Sequence, residues 1–180
     1  MSSLFDSINA YNIRPFKRMG ITVDEELYYG KFVSKFVLSL SPKKVVELGC
    51  GNCLITKIIK ENLKKGDIIG IDDWKEGEIE KWTKPVKGKV DIVQNLFPLP
   101  FRSSSIDLIY TVLYFYNVPK KERKEKIEEI NRVLKDDHYL ILVDLDIVRN
   151  MRKDFPFKEE YFHQDQGIFI SIMRKRGDEK

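Results

Sequence analysis

Residues 45–59, Val45-Val46-Glu47-Leu48-Gly49-Cys50-Gly51-Asn52-Cys53-Leu54-Ile55-Thr56-Lys57-Ile58-Ile59, decide the fold class. A short apolar run gives way to glycines, and apolar residues at helical spacing follow at once. This reads as a buried strand, a tight loop and an amphipathic helix. Leu54, Ile55, Ile58, Ile59 and Leu63 form the helix's apolar stripe, Lys57, Lys60 and Lys64 its other side, and Gly66 closes it. Ile68-Ile69-Gly70-Ile71-Asp72 supplies a second strand. A strand, helix, strand order predicts a parallel pair joined by a right-handed crossover.

The pattern continues outward in both directions. Upstream, Phe32, Val33, Phe36, Val37 and Leu40 mark a helix that Ser41-Pro42 ends. Downstream, 74–88 reads as a weaker helix, and 90–94, 106–112 and 139–145 as further strands. Before the last of these comes a helix with Pro119 in its first turn and Ile127, Ile130, Val133 and Leu134 as its buried stripe. The segments 161–164 and 168–174 read as a hairpin turned at Asp165-Gln166-Gly167. The expected class is α/β, a doubly wound and mostly parallel sheet with one antiparallel strand at its end. Ligands of such sheets bind beyond the carboxyl ends of the strands, so residues just after each strand are the candidates for a site.

Composition narrows the function. The 180 residues suit one domain, and 42% hydrophobic with 33% charged residues excludes a disordered or collagen-like chain. Thirty-two basic against 28 acidic side chains leave +4, which does not demand nucleic acid. No run approaches the roughly 18 apolar residues of a membrane span, and the opening lacks the basic-then-apolar order of a secretion signal. No membrane partner and a cytoplasmic location are therefore expected.

Gly49 and Gly51 allow a sharp turn and close backbone approach to a ligand. A dinucleotide site needs a third glycine where this chain has Leu54. Cys50 and Cys53 have the spacing of a redox dithiol at a helix start, but that reading leaves the acidic residues after the second strand unexplained. A metal site would need His138 and His163 to join the thiolates, and their spacing does not encourage it, so no metal is expected. Asp72 falls about twenty residues after the loop, where an acid can accept hydrogen bonds from two ribose hydroxyls, though it could equally cap a helix. A glycine loop without a phosphate signature, followed by that acid, suits a nucleoside lacking phosphates.

The segments VVELGCGNC, IIGIDDW, QNLFPLPFRSSSIDLIYTVLYFYNVP and KIEEINRVLKDDHYLILVD, in this order, resemble the successive motifs of class I S-adenosylmethionine-dependent methyltransferases, in particular the compact type 11 group. The likeness covers about residues 45 to 146. It implies a Rossmann-like seven-stranded sheet of order 3-2-1-4-5-7-6 with the last strand pair antiparallel. It further implies one domain over 1–180, with 1–40 an N-terminal lid and helix and 41–180 the core. The implied cofactor is S-adenosyl-L-methionine. Gly49, Cys50 and Gly51 would pass under it, with Glu47 beneath holding the loop or the amino group. Asp72, with Asp73 beside it, would bind the ribose hydroxyls. Asn95 and the Leu96 amide would meet the adenine, Thr111 and Val112 would line the methionine end, and Tyr11 would close over the cofactor. Cys53 stands for the family's third glycine, Asn95 for its usual aspartate, and Asp136-Asp137-His138 for a glycine pair.

Methyl transfer is an in-line displacement in which positioning carries much of the barrier reduction. Tyr110, Tyr114, Phe115 and Tyr116 cluster at and after the fourth strand, where aromatic faces would flank a cation, with Phe115 read as core. The catalytic candidates are Tyr114, Tyr116 and Asp144, the last as a proton acceptor. An AsnProProTyr-type segment and a cysteine after the fourth strand are both absent, which disfavours methylation of DNA bases. Glu122 with Lys126 and Glu128 with Arg132 are expected as helical ion pairs, and Arg174-Lys175-Arg176 as a solvated tail. The expected function is methyl transfer to an unidentified acceptor, a small molecule favoured over protein or RNA. The rival is a catalytically silent subunit of the same fold that binds a partner protein, since 180 residues leave little inserted sequence for an acceptor pocket.

Overall fold

The computed structural model describes residues 23–75, 77–94 and 97–177. In chain order these contain α1 (Val23–Leu40), β1 (Lys44–Leu48), α2 (Leu54–Asn62), β2 (Asp67–Asp72), α3 (Glu78–Thr83), β3 (Asp91–Gln94), β4 (Ile106–Val112), α4 (Lys120–Val133), β5 (Leu134–Leu145), β6 (Phe157–Asp165) and β7 (Ile168–Lys175). Short 3-10 segments lie at Lys84–Val86, Phe115–Asn117 and Asp146–Asp154. The seven strands form one sheet in the expected order β3-β2-β1-β4-β5-β7-β6. β1 pairs in parallel with β2 and β4, β2 with β3, and β4 with β5, while β7 runs antiparallel to both β5 and β6. Strand order reverses between β1 and β4, which places the crevice for a ligand above their carboxyl ends.

Strands covered on both faces explain why the sequence shows continuous apolar runs there. Val45, Ile68, Leu108 and Ile141 pack with Val33 and Val37 of α1 and Ile55 and Ile59 of α2. Val46, Ile109, Leu140 and Leu142 point the other way, onto Ile127, Ile130 and Val133 of α4 and onto Val148, Met151 and Phe155. Gly70 of β2 is a close-approach position: a Cβ there would lie 2.9 Å from the Cys50 sulfur and 3.1 Å from Thr56 Oγ1. Gln166 and Gly167, at φ +47° and +83°, make the tight hairpin turn between β6 and β7. Among the described residues, no helix is long and apolar enough to cross a membrane.

Several local expectations are corrected. Pro119 precedes α4 as its cap instead of lying in the first turn. Leu134 is buried but opens β5, and Asp136-Asp137-His138 lie inside that strand instead of in a turn before it. Pairing shifts there from Ile106↔Leu134 to Leu108↔Tyr139, so β5 carries the extra residues as a bulge, with Asp137 left-handed at φ +61°. The expected pairs on α4 give way to other partners, some within the helix, such as Lys124 with Glu128, and some across the fold. Arg132 joins Glu129 through Nε–Oε1 at 2.6 Å and donates to the carbonyls of Leu99 and Phe101, and Lys126 lies 4.2 Å over the Phe97 ring. Of the basic cluster Arg176 is exposed, but Arg174 and Lys175 belong to β7 and are held instead of solvated. Lys175 donates to the carbonyls of Asn131 and Leu134, both at 2.8 Å, and Arg174 to Asp137 at 3.0 Å.

Candidate functional site

The loop between β1 and α2 turns through three left-handed residues, Gly49 (φ +73°), Gly51 (φ +54°) and Cys53 (φ +58°). It is laced to the end of β2. The amides of Gly49 and Cys50 both donate to the Ile71 carbonyl, at 2.7 and 3.1 Å, and the Gly51 amide donates to Asp72 Oδ2 at 2.7 Å. Asp72 Oδ1 accepts from the Asp73 amide, and Trp74 Nε1 donates to the Gly51 carbonyl at 3.0 Å. Asn52 Oδ1 accepts from the Leu54 amide at 3.0 Å and so caps the start of α2. Only glycine fits at position 49, because a Cβ would lie 2.5 Å from Cδ2 of Tyr114.

Beneath the loop Glu47 is buried in β1 and accepts hydrogen bonds from the hydroxyls of Thr56 and, at 2.6 Å, Tyr110. It therefore ties β1 to α2 and β4 from inside. Burial pushes its carboxyl up to about 8 against the two hydrogen bonds. The folded state thus holds a proton that the unfolded chain releases near 4.5. The stability this group contributes is complete below that value and is lost as pH rises through 8. Glu47→Gln, which mimics the protonated form, is expected to unfold with a shallower loss of stability between pH 5 and 9. Within that window the curves of the two proteins diverge by at most about 1.4 kcal/mol for each step of one in pH. Urea unfolding at both ends of the window checks this, and identical slopes for the two proteins would refute it.

Around the mouth of β4, Thr111 is fully buried and its hydroxyl has no partner among the described residues, while Val112 is half-buried. Tyr114 lies edge-on to Phe115, with centroids 5.0 Å apart, and rests against Gly49. Phe115 is core, packed on Phe155. Tyr110 is core as well, its hydroxyl spent on Glu47 instead of flanking the crevice. Tyr116 is half-buried between the two core layers. The carboxylate of Asp144 is engaged by backbone, accepting from the amides of Phe115 (2.6 Å), Tyr116 (3.3 Å) and Leu145 (2.8 Å). Its geometry holds the loop after β4 in place. Burial pushes this carboxyl up to about 6 despite those amides.

On the β2–β3 side, Asp73 is exposed and helps line a cavity of about 460 Å³ with Gln94, Phe97 and Lys126. Tyr11, Asn95 and Leu96 lie outside the described residues. Three residues next to the loop escaped sequence reasoning. Trp74 and Asn52 hold it as described, and Glu26 of α1, nearly buried, accepts from Asn52 Nδ2 at 3.3 Å. Burial pushes the Glu26 carboxyl up to about 7. An Asx residue two before a helix signals the Asn52 cap. Nothing in the local pattern marks Trp74 or Glu26.

Asp72 is 1% exposed and accepts from the amides of Gly51 and Asp73, so its carboxylate braces the loop at the end of β2. Over Gly49 the Tyr114 ring takes the space a side chain would need, and the Thr111 hydroxyl lies buried one residue from the end of β4.

Known proteins share this fold and parts of this sequence. A demethylmenaquinone methyltransferase of Thermotoga maritima is 29% identical over 115 residues, 64% of this chain and 49% of that protein. The chain thus spans about half the length of that relative. A putative type 11 methyltransferase from Sulfolobus solfataricus has a similar fold, with TM-score 0.63 and 20% identity, covering 81% of this chain and 90% of that one. So does a SAM-dependent methyltransferase from Aquifex aeolicus, with TM-score 0.62 and 16% identity over 78% and 88%. A family model described as a methyltransferase domain matches residues 46–142, more than half of the chain. The chain belongs to that methyltransferase family.

Proposed function

We propose that this chain is a single-domain enzyme that moves the methyl group of S-adenosylmethionine to a small-molecule acceptor. The observation that carries the reading is the Asp72 carboxylate, locked by the glycine loop at the end of β2, beside the point where strand order reverses. The donor, when bound, supplies a methyl carbon made electrophilic by its sulfonium. Asp72 accepts from the sugar hydroxyls, and the Gly49-Cys50-Gly51 backbone forms the floor. Asp73 stands on the adenine side and Thr111 and Val112 at the methionine end, while the family resemblance assigns cofactor contacts to Tyr11, Asn95 and Leu96, which lie outside the described residues. Tyr114 and Tyr116 present aromatic faces at the reacting end, where a cation gains about 0.5–2 kcal/mol. Asp144 is a positioning residue that supports both tyrosines through the backbone of their turn. Glu47, turned inward, holds the floor from below.

Calorimetric titration with S-adenosylhomocysteine tests this. Binding in the micromolar range is expected, weakened at least tenfold in Asp72→Asn, which replaces one acceptor oxygen by a donor. Absence of binding, or equal affinity in the variant, would sink the reading. A panel of phenols, amines, thiols and naphthoquinols then identifies the acceptor class. The quinols are included because of the Thermotoga relative's name. Donor binding without turnover on the panel, with a stable co-purifying protein, would favour a partner-binding subunit instead.

A further inference from the structure

The two cysteines that the fold and the proposed reaction leave unused meet inside the glycine loop. Cys50 Sγ and Cys53 Sγ lie 2.8 Å apart, both buried, and both are free thiols in this structure. That separation is well inside ordinary sulfur–sulfur contact and less than 1 Å longer than the roughly 2.05 Å of a disulfide bond. The backbone is already shaped for closure, since the Cys53 amide donates to the Cys50 carbonyl at 2.7 Å and draws the two residues into one turn. Cys53 holds a left-handed φ of +58°, a conformation that disfavours side chains other than those of glycine, asparagine and aspartate. Two bonds to Ile71 and one to Asp72 fix Gly49, Cys50 and Gly51. On the far side of the loop, the Cys50–Cys53 contacts hold the strained residue.

We propose that Cys50 and Cys53 form an intraloop disulfide that staples the glycine floor in its ligand-ready turn. With a peroxide as oxidant, one thiol sulfur attacks a peroxide oxygen, the O–O bond breaks, and water leaves with the thiol proton, giving a sulfenic acid. The second sulfur attacks the sulfenic sulfur, the S–S bond forms, the S–O bond breaks, and a second water leaves. Two thiols are oxidised and one peroxide is reduced to two waters. The burial that keeps larger reagents away also pushes the Cys50 thiol up. The bond therefore forms slowly in the folded protein, resists bulky reductants once made, and acts as a staple more than as a rapid switch.

The test uses the full-length chain incubated with hydrogen peroxide or with dithiothreitol, then denatured and alkylated with iodoacetamide. Oxidised protein is expected to take up no label and to yield a peptide spanning Cys50 and Cys53 that is 2 Da lighter. Its thermal midpoint rises by several degrees over the reduced form, a difference absent in Cys53→Ser. Two labelled thiols after peroxide, or sulfinic acid without a bridge, would overturn the proposal, as would equal midpoints for a bridged and an unbridged sample. The effect on the donor rests on the function proposed above. S-adenosylhomocysteine should bind the bridged form threefold to tenfold more tightly than the reduced form. Failure of both forms to bind would count against that function and leave the bridge standing, whereas equal binding would show that the bridge does not shape the floor.

Discussion

Asp144→Ala is expected to remove about 3–5 kcal/mol of folding stability, because the backbone amides of Phe115, Tyr116 and Leu145 lose a buried acceptor at once. Asp144 is 1% exposed, and its two oxygens serve Phe115, Tyr116 and Leu145. The carboxylate is buried, and an orphaned buried donor costs about 1–3 kcal/mol. Asp144→Asn retains one oxygen and should fall between the wild type and alanine. Denaturant unfolding at pH 7.5, above the value of about 6 to which burial raises the carboxyl, measures both. A loss below about 1 kcal/mol for alanine would show that the loop after β4 is held by packing alone. If the loop does depend on this carboxylate, the variant also loses the placement of Tyr114 and Tyr116. Donor affinity should then fall in the remaining folded protein.

Gly49→Ala should cost about 2–5 kcal/mol and abolish measurable titration with S-adenosylhomocysteine. Two separate penalties act. The new Cβ occupies a left-handed backbone at φ +73°, worth roughly 1–2 kcal/mol, and it lies 2.5 Å from Cδ2 and 3.0 Å from Cβ of Tyr114. The ring must move, and overpacking of this kind costs about 1–3 kcal/mol. A double variant with Tyr114→Ala separates the two, since removing the ring relieves the clash and leaves the backbone penalty. The pair should therefore couple by at least about 1 kcal/mol. Strict additivity would mean that Tyr114 does not rest on the loop.

Much of the architecture was legible because burial on both faces forces it. A strand covered from two sides has no polar position to spare, and Val45-Val46 and Leu140-Ile141-Leu142-Val143 announce themselves as such. Helices were equally plain where one stripe meets the sheet, as for Ile127, Ile130 and Val133. The 3-10 run at Asp146–Asp154 was not, since its nine residues bury only Val148 and Met151 and are otherwise mostly polar. The bulge at Asp136–His138 resembles a turn in sequence, because polar residues must leave the ladder whichever way the chain goes. The glycine loop and Asp72 were readable from spacing. The inward turn of Glu47 toward Tyr110, 63 residues away, and the approach of Glu26 to Asn52 arise from tertiary packing that no local window contains. The same holds for the basic residues near the end of the chain. A lone run of Arg174-Lys175-Arg176 looks like solvent-facing charge until α4 and β5 bring their carbonyls to it.

One oxygen, the carbonyl of Ile71, receives both Gly49 and Cys50, while the next residue along β2 receives Gly51. The glycine loop and the Asp72 carboxylate are accordingly one rigid piece, and neither can tilt without dragging its neighbour. Adaptation to differently shaped guests must then come from the opposite wall, the aromatic turn hung from β5.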